Sequence, residues 1–118
     1  MLSFGSATRI YVVAGVTDMR KSFNGLAAIV EHQLTKDPLS GHVFIFCNRR
    51  RDRVKVLVWD GSGLWVCAKR LEKGTFAWPR SADRAVRVTS EELALLLGGI
   101  DLQATKKRRW YRRSAISA

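Results

Sequence analysis

Acidic residues are scarce in this chain, and no apolar stretch in it is long. Ten Asp and Glu stand against 21 Lys and Arg, which leaves a formal net charge of +11 over 118 residues. The scarcity bears first on metal-dependent chemistry. A two-metal nuclease or transposase core needs carboxylates converging from neighbouring elements to hold ions roughly 4 Å apart. Here the carboxylates are scattered, and several have a local role at once: Asp60 in a turn, Glu92 in a helix cap, Asp18 before a helix. No segment approaches the roughly 20 apolar residues that a spanning helix needs. Met1-Leu2-Ser3-Phe4-Gly5-Ser6 has neither the basic start nor the apolar run of a secretory signal, so a cytoplasmic location is the expectation.

Sulfur is equally sparse. Cys47 and Cys67 sit in apolar runs outside any CxxC pair and read as small, reduced core residues. With His32 and His42 they would make four zinc ligands, but spacings of 10, 5 and 20 match no familiar site. A Walker lysine loop, a GxSxG elbow and an HExxH helix are all missing. No catalytic residue, metal or cofactor is therefore assigned, and the expectation is a non-enzyme.

What is abundant is positive charge. Lys106-Lys107-Arg108-Arg109-Trp110-Tyr111-Arg112-Arg113 holds six cations and two aromatic rings with no acid among them. Cations interleaved with flat rings suit a polyanion whose bases can be stacked upon, and Trp110 is the candidate stacking side chain. The body is basic too, with 15 basic and 10 acidic residues before Lys106. Arg49, Arg50, Arg51 and Arg53 surround a single Asp52 in a hairpin turn, where guanidinium groups can grip phosphates bidentately. Lys69, Arg70 and Lys73 extend that surface, and alternation puts Lys55 on the solvent face of its strand. A solvated turn and a solubilising tail are the plainer alternatives.

Hydrophobic residues make up 47% of the chain, enough for one core in a chain of single-domain size. Residues 9–13 read as a strand. Phe23, Leu26, Ala27, Val30 and Leu34 then recur at spacings of three and four, which predicts an amphipathic helix from Arg20 to Leu34. Thr17 or Asp18 is its expected cap, and close packing on the sheet is the expected reason for Gly25. Residues 43–47, 54–59 and 64–69 predict a β-meander, its second hairpin closed by Asp60-Gly61-Ser62-Gly63 with Trp59 and Trp65 paired across it. Phe76 and Trp78 are expected to cover an edge of the core. A short strand over 85–88 precedes Thr89-Ser90-Glu91-Glu92, a capping box for a second helix that buries Leu93, Leu96 and Leu97 and stops at Gly98-Gly99. Ile100-Asp101-Leu102 is read as folding back on the core. The expectation is an α+β fold: one compact domain over 1–103, mostly antiparallel sheet with two helices, and a basic arm over 104–118.

Taken together, these segments resemble a known family. Residues 13–26, Val-Ala-Gly-Val-Thr-Asp-Met-Arg-Lys-Ser-Phe-Asn-Gly-Leu, are similar to the opening of the TnpB family, the small accessory proteins of the second reading frame of insertion-sequence-sixty-six transposons. Gly41–Phe46, Lys55–Gly61 with Gly63, and Lys69–Gly74 through Phe76, Trp78 and Pro79 resemble it in the same order, as do Leu95–Leu97 with Gly99–Asp101. Val58 and Gly98 depart from it, standing where an aromatic and an acidic residue are more usual. The resemblance spans residues 9–102 and does not cover the tail after Gln103. It implies a protein that assists transposition of a bacterial insertion sequence beside a separate, larger DDE transposase. It carries over no catalytic residue and no defined binding site. The expected partners are DNA, at the element ends or the target, and that transposase; a homo-oligomer is compatible with the sequence. The alternative is an adaptor that docks on the transposase without touching DNA.

Overall fold

The computed structural model of the chain describes residues 7–99. A five-stranded sheet forms its middle, in the order β4-β3-β2-β1-β5. The strands are β1 (Ile10–Val13), β2 (Val43–Cys47), β3 (Arg53–Trp59), β4 (Leu64–Arg70) and β5 (Ala85–Val88). β2, β3 and β4 form the expected antiparallel meander. β1 lies parallel to β2, with Tyr11 beside Phe44, and β5 closes the other side antiparallel to β1. Parallel neighbours cannot be joined by a tight turn. The helix between β1 and β2 supplies the crossover.

That helix, α1, runs Phe23–Ala28 and continues as one wider π turn over Ile29–Gln33. It starts later than the periodicity predicts. Asp18 does not cap it; its carboxylate instead accepts from the backbone and guanidinium of Arg20. The buried stripe differs from the expected one at its start. Leu26, Ile29, Val30 and Leu34 are buried, whereas Phe23 is 47% exposed. At Gly25 the tightest neighbour is Lys21 and not the sheet: a Cβ there would meet the Lys21 side chain at 3.0 Å.

Both faces of the sheet are covered, which is why β1 and β2 are buried along their whole length. On the first face, Tyr11, Val13, Phe44, Phe46 and Leu57 pack with the apolar side of α1. On the second, Ile10, Val43, Ile45, Cys47, Val54 and Val58 meet Phe76, Leu71 and Trp78. Phe76 and Trp78 thus cover a sheet face, not an edge of the core. Trp78 Nε1 donates to the Val13 carbonyl at 2.9 Å and ties that cover to β1. Leu93 and Leu97 of α2 (Ser90–Gly98) close the same face. The capping box forms as expected: Thr89 Oγ1 accepts from the Glu92 amide at 3.1 Å, and Glu92 Oε1 accepts from the Thr89 amide at 2.8 Å. Gly99 ends the helix at φ 75°, a left-handed conformation that favours glycine. Ile100-Asp101-Leu102 lies outside the described residues.

Two side-chain expectations are corrected. The register pairs Trp59 with Leu64 and Trp65 with Val58, so alternation sends the two tryptophans to opposite faces. Trp65 Nε1 instead donates to Asp60 Oδ2 at 2.7 Å, while Asp60 Oδ1 accepts from the Ser62 and Gly63 amides. Cys67 is exposed on β4, one of the two edge strands of the described sheet; Cys47 is the buried one.

Candidate nucleic-acid interface

The topology collects cations at one end of the sheet. Chain direction brings the β1–α1 loop, the β2–β3 turn, the start of β3 and the end of β4 to the same edge. Cross-links hold them there. The Thr17 amide donates to the Cys47 carbonyl, the Leu71 amide to the Asp52 carbonyl, and the Phe76 amide to the Arg51 carbonyl, at 2.7–2.8 Å. Thr17 is itself buried.

The β2–β3 turn is built by Asn48. Its Oδ1 accepts from the Asp52 and Arg53 amides at 3.1 Å, and its Nδ2 donates to Asp52 at 2.8 Å. Asp52 is held below the usual carboxylate range chiefly by that amide, with the nearby Arg50 charge a smaller cause. With the turn fixed from inside, Arg49 and Arg50 point outward, the Arg50 side chain 84% exposed.

The four arginines of this turn do not act alike. Arg51 sits at φ 60° and folds inward. Its guanidinium reaches the Ala14, Gly15 and Asn48 carbonyls at 3.4–3.5 Å and lies 5.7 Å over Trp78. It therefore braces the turn against β1. Arg53 is exposed and stands directly opposite Arg70. Arg70 pairs with Glu72 at 3.3 Å. Lys69 points to the other face, where its Nζ donates to the Leu97 carbonyl at 2.8 Å and satisfies the end of α2. Lys73 is exposed on the segment bordering the turn. Lys106, Lys107, Arg108, Arg109, Trp110, Arg112 and Arg113 lie outside the described residues.

Sequence reasoning left Arg20 and Lys21 out of this surface and gave Lys55 only a general place on it. Lys55 Nζ donates to the Lys21 carbonyl at 2.9 Å, which bridges β3 to the β1–α1 loop. Period-two alternation was the available signal, since it puts Arg53 and Lys55 on one face. Arg20 is engaged by Asp18, whose pKa falls from the usual 3.8 to about 2, first through the Arg20 guanidinium and then through its amide. A carboxylate depressed in the fold contributes stability that is complete above pH 3.8 and is lost as pH falls through 2. An NMR titration of the Asp18 carboxyl is expected to give a midpoint of about 2, and Arg20→Ala should move it back towards 3.8. An unmoved midpoint would remove Arg20 as the cause.

A second group of cations, Arg9, Lys36 and Arg87, surrounds Tyr11 and His42 at the opposite end of the sheet. Lys36 Nζ lies 4.3 Å over the Tyr11 ring, and the Arg9 amide donates to His42 Nδ1. Burial, and then these charges, lower the His42 pKa. Among the described residues no three of His, Cys, Asp and Glu gather as a metal would require. Cys47 is fully buried, and that burial pushes its thiol pKa up, away from the reactive thiolate. No described helix is long and apolar enough to cross a membrane.

Comparison with known proteins identifies the family of the chain. The chain is 37% identical over 108 residues to the uncharacterized protein y4jC of Sinorhizobium fredii, covering 92% of each. It is 39% identical over 101 residues to the uncharacterized protein y4hO of the same organism, covering 86% of this chain and 88% of that one. No solved structure matches significantly. A family profile described as "IS66 Orf2 like protein" matches residues 8–107, nearly the whole chain including the first positions of the basic tail. The chain belongs to the IS66 Orf2-like protein family, the accessory proteins of insertion sequences.

Proposed function

We propose that this accessory protein assists transposition by holding DNA, with the basic end of the sheet and the C-terminal arm as its contact surface. Membership of the family implies the transposition role, and the family is not a known catalytic one. One observation carries the DNA reading: Arg49, Arg50, Arg53, Arg70 and Lys73 lie at one end of the sheet, where backbone hydrogen bonds tie the turn to the neighbouring segments. Sequence-independent contacts of this kind position a protein on the phosphate backbone. In this reading the body is residues 1–103, the arm is 104–118, the protein is cytoplasmic, and the transposase of the same element is its protein partner. Arg51 leaves the contact set, since its guanidinium is turned onto backbone carbonyls, and Lys69 leaves it because it lies on the opposite face of the sheet from Arg53 and Arg70.

The adaptor reading has one observation in its favour. Among the described residues β4 is an edge strand with no neighbour on its outer side, and its Trp65 is 48% exposed. Open edges pair readily with strands of a partner. Binding to a duplex carrying the element's terminal repeats separates the two. The full chain is expected to bind, and a chain ending at Thr105 to bind at least about tenfold more weakly, since six cations are removed. No binding by either form at low salt would leave the adaptor reading standing, with the transposase as the partner to test.

A further inference from the structure

We propose that a groove on the α1 face, between the β1–α1 loop and the ends of β3 and β4, is a phosphate site that seats one backbone phosphodiester of the bound nucleic acid. The inference rests on the DNA-binding reading but adds a shaped site to a diffuse charged surface. Met19, Arg53, Lys55, Ala68, Arg70 and Glu72 line the groove.

Three features point to an anion. Arg53 and Arg70 are direct cross-strand neighbours on the same face. Like charges in that position repel, and an oxyanion between them turns the repulsion into two charge-assisted bonds. Two residues further along the same face, Lys55 faces Ala68. The small Ala68 side chain leaves the floor open, while the Lys21 carbonyl anchors the Lys55 ammonium beside it at 2.9 Å. That bond uses one of three ammonium protons and leaves two for a ligand. Finally, Glu72 is the one carboxylate lining the groove, and it contacts Arg70 through a single oxygen at 3.3 Å with both side chains mostly exposed. A weak, solvated pair of this kind is readily exchanged for a phosphate. A phosphodiester offers two non-bridging oxygens and one negative charge to three cations.

The test keeps charge and shape apart. Ala68→Leu fills the floor and alters no charge, at an exposed edge position where a larger side chain does not disturb the core. Affinity of the full chain for a 20-base-pair duplex is read by fluorescence anisotropy at fixed salt. Ala68→Leu and Arg70→Gln should each weaken binding about tenfold, the scale of a lost charge-assisted contact. Glu72→Gln should tighten it by freeing Arg70. A duplex affinity unchanged by both Ala68→Leu and Arg70→Gln overturns the groove while leaving DNA binding intact. If the unsubstituted chain fails to bind duplex, inorganic phosphate is titrated while the amide signals of Arg53, Ala68 and Arg70 are followed. Saturable shifts abolished by Ala68→Leu would support the site and assign it to a free phosphate, whereas no shifts would overturn it along with the DNA reading.

Discussion

Raising the salt from about 50 to about 200 mM should weaken duplex binding roughly 10³-fold, if about six cations contact phosphates. Each neutralised phosphate releases condensed counterions, and dissolved salt opposes that release. The six cations between Lys106 and Arg113 alone match this number, and the exposed arginines of the β2–β3 turn add to it. Replacing Arg108, Arg109, Arg112 and Arg113 with alanine should weaken binding to all sequences alike and flatten the slope. A slope unchanged by those four substitutions would show that the arm is not the contact surface. Arg51→Ala should leave the slope almost unaltered, because its guanidinium is turned onto backbone carbonyls.

The strongest effect on folding is expected from Phe44. It is fully buried in β2, stacks on Tyr11 with ring centroids 5.5 Å apart, and belongs to the cluster that joins α1 to the sheet. Phe44→Ala should cost about 3–5 kcal/mol through lost burial and the cavity left behind. Small domains hold only about 5–15 kcal/mol in total, so the variant should be close to unfolding at moderate temperature. Phe23→Ala is the contrast. Phe23 is 47% exposed, and its loss should change stability by only about 0.5 kcal/mol. Urea denaturation of both variants measures the difference. Equal costs would contradict the packing of α1 described above.

Those two phenylalanines also show where sequence reading works and where it stops. Phe44 lies in a short, wholly apolar run, which marks a strand covered on both faces, and the structure covers it on both. The turns were equally legible. Asp60, Asn48–Asp52 and Thr89 carry side chains that bond to nearby backbone, so the information is local. Phe23 fits the 3.6-residue period, but it is the first residue of α1 and stays exposed there, and spacing alone does not tell where along a helix its cover begins. The parallel pairing of β1 with β2 also stayed hidden. It depends on contacts 33 residues apart, such as Ile10 beside Val43, and neither strand's own sequence encodes its partner. The candidate site divides the same way. A count of arginines identifies the basic turn, but only the folded chain separates Arg49 and Arg50, which face solvent, from Arg51, which faces the core.

The bond from Lys69 to the last turn of α2 has a further consequence. It pins the end of that helix to β4, and Gly99 is so close to Leu71 that a Cβ there would come within 2.8 Å of its side chain. The chain therefore leaves the described domain beside the cation-rich end of the sheet. Lys106 stands seven residues beyond Gly99 in the sequence, a reach of at most about 25 Å. Under the proposed function, whichever surface engages first confines the other to a small volume around the same stretch of duplex. The second contact then forms at a local concentration on the order of millimolar, and two individually weak surfaces act as one bivalent clamp.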